Sequence, residues 1–518
     1  MSGQSFVYGA AVLLAASVFN RCIGFIYQIL MIRLIKPEGV GLFSMVFPVY
    51  VMVFVLATMG IPVAISKLVA EEVAVNNLPG AYRTFKISLA IISAVSLFFT
   101  LLLLAGSPLL VKHLFPNPDV YLCFISLVPG VFIVSLCSAF RGFFQGLQRM
   151  SPTAVTQVVE QLVRVTAGLS IAWILLPRGV IYASVGISLG LVCGELVGFI
   201  FMVYIYITRR PRIPVPSFPA EPLAGTLGRI FNLGIPVTLT RFVSTALMSL
   251  DALLIPRRLQ LAGMSLGDAT ATYGQFVGIA ETLLFSPGMV TIALATALVP
   301  AVSDALAQGR IYLVRSRIEE AIRITVMVGS PVAAIFLVMP HDLCQVLFGY
   351  GSAGDSLLIM ALSGPFLYLQ QTTTGILQGL GKAGIPFKNL LLASVIKILG
   401  IYYLTAVPGF SIRGTALSMG TSYIIMSLLN YRDLKKITGL KINCTLCIYK
   451  PIFASAAAAF AMLQLKPLLA SSFAPGLLSL SLNLLFGSFF YFFVLYVIGG
   501  IDTSDIKRIR LLIKKLGP

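Results

Sequence analysis

Four basic side chains fall inside stretches that are otherwise apolar: Arg21, Arg164, Arg241 and Lys397. Four acids do the same: Glu160, Glu195, Asp251 and Glu281. Each such charge at the centre of a membrane helix costs about 2.5–3.5 kcal/mol on insertion scales, so these residues are expected to face a bundle interior or a wet cavity. Fixed cations in a low-dielectric cavity suit an anionic ligand, a pyrophosphate above all, which a guanidinium grips in bidentate fashion. Glu160 and Arg164 lie four apart on one helix face and are expected to pair. The competing reading is that the charges neutralise one another as packing glue, and for Glu195 and Glu281 the sequence offers no partner. Asp251, toward the outer end of its stretch, would reach the interface by snorkelling. With Glu160 and Glu281 it also supplies the acids that Na⁺ or H⁺ coupling would need.

Other chemistries find little support. The two histidines, His113 and His341, fall in connections with no Asp-rich metal motif beside them, so no metal site is expected. Cys444-x-x-Cys447 has no second pair to complete a zinc site and reads as structural. No P-loop is present. Neither a catalytic residue nor a cofactor is expected, and the chain does not read as an enzyme.

The elements that must position these charges follow from composition. Of 518 residues, 58% are hydrophobic and only 11% charged, with mean hydropathy +0.97. A soluble domain carries about 25% charge, so a soluble enzyme, a disordered chain and a disulfide scaffold are all disfavoured. Apolar stretches of roughly 20 residues recur from end to end, the signature of membrane-spanning helices. About fourteen are expected, near 6–34, 41–62, 85–107, 121–144, 153–176, 180–207, 228–256, 272–300, 322–340, 356–380, 386–407, 412–430, 448–467 and 475–500. The N-terminal stretch has no basic n-region or A-x-A site and reads as a retained first helix.

The net charge of +19 is a matter of topology. Connections on one side, with the C-terminal tail, carry 25 basic residues and those on the other carry 8. The positive-inside rule then places both termini in the cytoplasm, in a plasma membrane. The tail IKRIRLLIKKL (506–516) interleaves basic and apolar residues and would lie on anionic lipid or act as a plain anchor. Neither use makes it a nucleic-acid site.

The cations also recur. FRGFFQGLQRMSPTAVTQVVEQLVRV (140–165) resembles TGILQGLGKAGIPFKNLLLASVIKIL (374–399), with Gln145-Gly146-Leu147 matching Gln378-Gly379-Leu380 at an offset of 233. The same offset carries Arg149 to Lys382 and Arg164 to Lys397. Gly60-Ile61-Pro62 with Ser66 echoes Val299-Pro300 with Ser303 at 237 or 238, and Arg21 stands opposite Arg241 near 220. Six spans per copy makes the copies parallel. The expected fold is therefore an all-α polytopic membrane protein with two parallel six-helix lobes and a C-terminal helix hairpin. Its parts are a lobe at 1–208, a cytoplasmic linker at 209–227, a lobe at 228–432, helices 13 and 14 at 433–500, and a basic tail at 501–518. A two-lobed bundle with cations at equivalent places in both lobes is a transporter plan. Pro48, Gly60-Ile61-Pro62, Gly234-Ile235-Pro236, Pro287-Gly288, Gly364-Pro365 and Gly384-Ile385-Pro386 are expected to permit bending.

The run FNRCIGFIYQILMIRLIKPEGVGLFSMVFPVYVMVFVLATMGIPVAISKLVAEE (19–72), with FRGFFQGLQRMSPTAVTQVVEQLVRV and LQGLGKAGIPFKN, resembles the polysaccharide-transport branch of the multidrug/oligosaccharidyl-lipid/polysaccharide exporter superfamily. The resemblance covers essentially the whole chain. It implies fourteen spans in two lobes plus a hairpin, as in multidrug exporters of that superfamily, and alternating access between the lobes. The implied activity is flipping of a lipid-linked peptidoglycan precursor, the sporulation branch serving the spore cortex. Lipid II flippases share the pattern of Asn20-Arg21-Cys22-Ile23-Gly24-Phe25, which puts their cavity-lining arginine at Arg21. They carry an Arg-Asp pair where this chain has Tyr27-Gln28, and a double arginine where it is apolar around Met52-Val53-Phe54, departures that favour the sporulation branch.

The expected substrate is then an undecaprenyl-pyrophosphate-linked sugar held by Arg21, Arg164, Arg241 and Lys397, with Glu160 beside them. Membrane lipids and cell-wall synthesis proteins are the expected partners. An ion-coupled multidrug or small-solute exporter using Glu160, Asp251 and Glu281 is the alternative, which four cations in the spans oppose when the drug is itself cationic.

Overall fold

The computed structural model describes residues 6–209, 222–472 and 476–501. The linker segment 210–221 and the tail 502–518 lie outside the described residues. Among those described, every regular element is helical. The chain divides into two compact units, the first ending at Gly278 and the second beginning at Ile279.

The first unit contains α1 (Phe6–Thr58), α2 (Ile61–Ala74), α3 (Leu78–Leu114), α4 (Val120–Gly146), α5 (Ser151–Leu175), α6 (Val180–Arg209), α7 (Leu223–Leu261) and α8 (Leu266–Gln275). Helix α1 holds the first two expected spans and is broken between them at Lys36, whose φ of 61° is non-helical. The cause is Pro37, because a proline ring clashes with helical backbone on the residue before it. The chain turns again at Met59 and Gly60, both at positive φ, before Pro62 starts α2 in its first turn. A π-helix, Phe276–Glu281, runs across the boundary between the units.

The second unit contains α9 (Thr282–Phe285), α10 (Gly288–Ala307), α11 (Ile311–Val338), α12 (Pro340–Phe348), α13 (Gly354–Ala361), α14 (Gly364–Gly379), α15 (Gly384–Leu404), α16 (Ile412–Thr438), α17 (Lys450–Ser472) and α18 (Leu477–Val497). The α17–α18 hairpin is tied to α11 by Tyr491, whose hydroxyl donates to Met327 O at 2.9 Å, and by Ser455 on Ser330 Oγ at 2.9 Å. Of the expected bends, Gly60-Ile61-Pro62, Pro287-Gly288 and Gly364-Pro365 coincide with breaks, whereas Pro48 and Pro236 lie within α1 and α7.

Among the described residues, eleven helices are long and apolar enough to cross a membrane, or twelve if α13 and α14, bent by 58°, form one span. The protein is thus a multi-pass, all-helical membrane protein, and fourteen is an approximate count. One of the eleven, Val12–Ala74, contains two expected spans. The expected twelfth, α16, is rich in Ser, Thr and Asn with charges at both ends, and falls short on apolarity.

The internal repeat is legible in backbone contacts. A methyl group built on Gly142 of α4 would lie 2.5 Å from Pro62 O, and one on Gly375 of α14 would lie 2.8 Å from Ala295 O. One turn on, Gly146 meets Ser66 O at 2.8 Å and Gly379 meets Val299 O at 2.8 Å. All four pairs are related by 233. The turns that follow match too, with Arg149 N donating to Phe144 O and Lys382 N to Leu377 O, each at 2.9 Å. The cores correspond in the same way: Ile65, Val69, Phe143 and Phe144 in the first unit, and Leu298, Val302, Ile376 and Leu377 in the second. The echo expected at 237 or 238 is therefore one helical turn out of register. It follows the prolines, whereas contacts follow the small residues that let backbones approach. Valine at Gly142 or Gly375 is expected to cost about 1–3 kcal/mol through overpacking, read as a lower melting temperature in detergent. Gly384→Val, where a Cβ would meet nothing within 4 Å, is the control.

Candidate functional site

The charges expected in the first unit form a buried polar cluster. Helix α5 supplies Glu160 and Arg164, one turn apart, with Arg164 Nη2 2.6 Å from Glu160 Oε1. The other carboxylate oxygen, Oε2, lies 2.5 Å from Arg141 Nη2, which comes from α4. The three side chains are 14–24% exposed, so Glu160 is one carboxylate shared by two largely buried guanidiniums. Arg141 Nε and Arg164 Nε are both buried without a hydrogen-bond partner.

A second buried acid stands beside them. Glu195 on α6 accepts a hydrogen bond from the Tyr50 hydroxyl of α1 at 2.8 Å, and both arginines attract its carboxyl across the cluster. Tyr27, about two and a half helical turns before the break of α1 at Lys36, has a buried hydroxyl with no partner among the described residues. It lies over Gly168 of α5, where a Cβ would come within 2.7 Å of its oxygen. Asn20 Oδ1 is likewise buried and unpartnered.

Glycines make room for this cluster. Helix α6 has Gly186, Gly190, Gly194 and Gly198 at every fourth residue, one face of which packs on α5. A Cβ on Gly194 would lie 2.7 Å from Glu160 O and 2.9 Å from Arg164 Cβ, and one on Gly198 would lie 3.2 Å from Glu160 Cβ. Small residues at this spacing allow close helix approach in a membrane. Gly130 on α4 does the same service for Tyr50 and Glu195, with a Cβ there 2.8 Å from the hydroxyl.

The expected pairing of Glu160 with Arg164 is thus present, and Glu195 finds a partner the sequence could not name. Arg141 is a correction: its place near the end of a span puts it among the 25 basic residues expected on one side, and in the structure it is a member of the buried cluster. Its position three residues before Phe144, in a helix with no other charge, was the available signal, and the four-residue glycine period of α6 was another. Arg21 on α1 and Arg241 on α7 are exposed and make no ion pair among the described residues. Asp251 is buried in α7 rather than snorkelling from it, at 9% exposure. Glu281 ends the π-helix half-buried, and Lys397 is buried in α15 of the second unit. No cluster of three or more His, Cys, Asp or Glu among the described residues has the arrangement of a metal site.

The second unit holds a cavity of about 580 Å³ between α10, α14, α15 and α16. Its polar lining consists of Thr296, Gln370, Gln371, Thr374 and Gln378, and among the described residues no charged side chain borders it.

Comparison with known proteins agrees with this architecture. Residues 6–306 match the polysaccharide biosynthesis protein family and residues 276–403 match MatE. The chain is 32% identical to stage V sporulation protein B of Bacillus subtilis (strain 168) over 448 residues, 86% of each chain. It is 23% identical to the lipid II flippase MurJ of the same organism, covering 83% of this chain and 82% of that one. Among solved structures, a lipid II flippase MurJ in an inward closed conformation superposes with a TM-score of 0.70 at 12% identity, covering 93% of this chain and 98% of that one. An inward-facing multidrug resistance MATE family transporter of the MOP superfamily gives 0.67 at 15% identity over 81% and 94%. A family match over residues 6–306, together with a relative at 32% identity over 86% of each chain, makes this chain a member of the polysaccharide biosynthesis protein family.

Proposed function

We propose that the chain is a flippase for a lipid-linked oligosaccharide, a peptidoglycan precursor, working by alternating access. Its functional context is sporulation, as the name of the relative at 32% identity suggests. The observation that carries the reading is the donor set around α1 and α5. Two buried guanidiniums share one carboxylate and keep unpartnered Nε–H groups, with the unpartnered Tyr27 hydroxyl beside them. Exposed Arg21 stands one turn from Gly24, which faces Gln161 of α5. Such donors fit a pyrophosphate better than a cationic drug. Arg21, Arg164, Arg241 and Lys397 are the proposed pyrophosphate contacts, with Glu160 as the group that aims Arg164. The lobes at 1–208 and 228–432, the hairpin and the cytoplasmic termini complete the proposal. With the inside negative, the membrane potential favours outward movement of an anionic headgroup by about 2.3 kcal/mol per charge per 100 mV. The chain acts on its substrate as a transporter and makes or breaks no bond in it.

Removing Arg164 leaves Glu160 paired with Arg141, so Arg21→Ala/Arg164→Ala is expected to fold. In proteoliposomes the wild-type protein is expected to move a fluorescent undecaprenyl-pyrophosphate sugar between leaflets, and the double variant to fall to the protein-free rate at normal abundance. Wild-type flux in the variant would overturn the site. Wild-type flux of a fluorescent organic cation with none of the lipid-linked sugar would overturn the function in favour of a drug exporter.

A further inference from the structure

The repeat shows how the two units diverged. At an offset of 233, Arg141 corresponds to Thr374, Glu160 to Ala393 and Arg164 to Lys397. Backbone contacts fix this register in the turn that follows Thr374, through Gly375 on Ala295 and Gly379 on Val299. The second unit therefore has neither member of the Arg141–Glu160 ion pair. Where the first unit has the Arg141 guanidinium, the second has a hydroxyl on the wall of a cavity.

The chemistry of that wall is narrow. Helix α14 lays Gln370, Gln371, Thr374 and Gln378 along the cavity, and α10 adds Thr296. Gln371 is held in place, its Oε1 accepting the Thr291 hydroxyl at 2.6 Å, and Thr374 Oγ1 accepts from Asn430 Nδ2 at 3.2 Å. Gln370 Oε1 is buried and has no hydrogen-bond partner. The remaining lining is aliphatic, with glycine and methionine, and holds neither a carboxylate for a cation nor an aromatic face. Amides and hydroxyls both donate and accept, which is what sugar hydroxyls and acetamido groups require. At about 580 Å³ the space falls in the ~300–1,000 Å³ range of small-molecule sites.

We propose that this cavity binds the uncharged, N-acetylated sugar of the transported lipid, reading it through Gln370, Thr374 and Gln378. The inference rests on the flippase reading above and adds to it a site within the second unit that selects the sugar. It divides the substrate by charge: a neutral carbohydrate has no use for the guanidiniums of the first unit, and a pyrophosphate gains no cation from this cavity.

The test replaces the two side-chain amides that find no hydrogen-bond partner among the described residues, in Gln370→Leu/Gln378→Leu, which keeps side-chain volume. In proteoliposomes, the flux of undecaprenyl pyrophosphate bearing an N-acetylated disaccharide is measured against that of sugar-free undecaprenyl pyrophosphate. The ratio is expected to fall at least tenfold, and an unchanged ratio would overturn the proposal. Saturation-transfer NMR with free N-acetylglucosamine reads the cavity without transport. Signal from the wild-type protein that disappears in the double variant supports the sugar site. No signal from the wild type, or equal signal from both, overturns it. Wild-type protein that binds the sugar but moves neither lipid would refute the flippase reading and leave the sugar site standing.

Discussion

Glu160→Ala should cost more than any other single substitution in the first unit. The carboxylate is only 14% exposed and holds Arg141 at 2.5 Å and Arg164 at 2.6 Å, so its removal leaves two positive charges facing each other in a low-dielectric bundle. Breaking a buried pair by removing one partner costs about 3–5 kcal/mol, and here one partner serves two. The expected result is a sharp fall in melting temperature and in membrane abundance. Glu160→Gln should fall nearly as far, because it keeps the shape and loses the charge. The triple variant Arg141→Met/Glu160→Leu/Arg164→Met, made on a Glu195→Gln background so that no buried acid is left without the two arginines, removes the whole triad, and well-packed apolar replacements of buried ion groups are often neutral in stability. It is expected to recover the wild-type melting temperature and to remain without flux. Recovery of both would mean that the triad is packing glue and nothing more. A triple variant as unstable as Glu160→Ala would place the cost in shape rather than in charge.

Much of this was legible in the sequence, and the reason differs from feature to feature. The α-helical class and the spans follow from hydropathy, which is summed over some 20 residues and so survives local error. The pairing of Glu160 with Arg164 follows from helix geometry alone. Arg141 was missed because a residue near the end of a span is assigned by depth, and depth says nothing about which face of the helix it occupies. Tyr50 and Tyr27 were missed because an aromatic residue in an apolar helix carries no polar signal until its hydroxyl is placed against Glu195 or Gly168. The repeat was found through Gln-Gly-Leu, yet its outer register slipped by a turn. Prolines catch the eye, but Gly142, Gly146, Gly375 and Gly379 make the contacts. The cavity of the second unit could not be seen at all: it consists of space, and three glutamines on one helix look like ordinary surface.

The second large effect is expected where α2 meets α7. Gly60 has φ 61° and its missing side chain faces the carbonyl of Gly234, while a Cβ on Gly234 would lie 2.5 Å from Met59 O. Two Gly-Ile-Pro segments thus touch through their backbones. Beyond them Arg229 of α7 reaches α2, with Nη2 3.0 Å from Glu71 Oε2 and Nη1 3.1 Å from Glu72 Oε1. In the proposed division into lobes, α2 and α7 belong to different lobes, so the proposed alternating access would part this contact whenever the lobes separate there. Gly60→Ala is expected to incur two penalties: about 1–2 kcal/mol for left-handed backbone and the overlap with Gly234. Gly381→Ala incurs only the first, since it has φ 72° and open space around it, and Gly234→Ala incurs only the second. Flux should therefore fall at least tenfold in Gly60→Ala and Gly234→Ala and stay near wild type in Gly381→Ala. A loss in Gly381→Ala as deep as in Gly60→Ala would put the effect in backbone strain and not in the contact. The ion pairs are partly exposed and worth up to about 1 kcal/mol each, enough to shift an opening equilibrium about fivefold. With Glu71→Cys as the labelling site, Arg229→Glu should accordingly raise thiol labelling, because the new carboxylate would repel Glu72, and Glu72→Arg/Arg229→Glu should lower it again. Labelling that ignores both changes would show that α2 and α7 are held by the glycine contact alone.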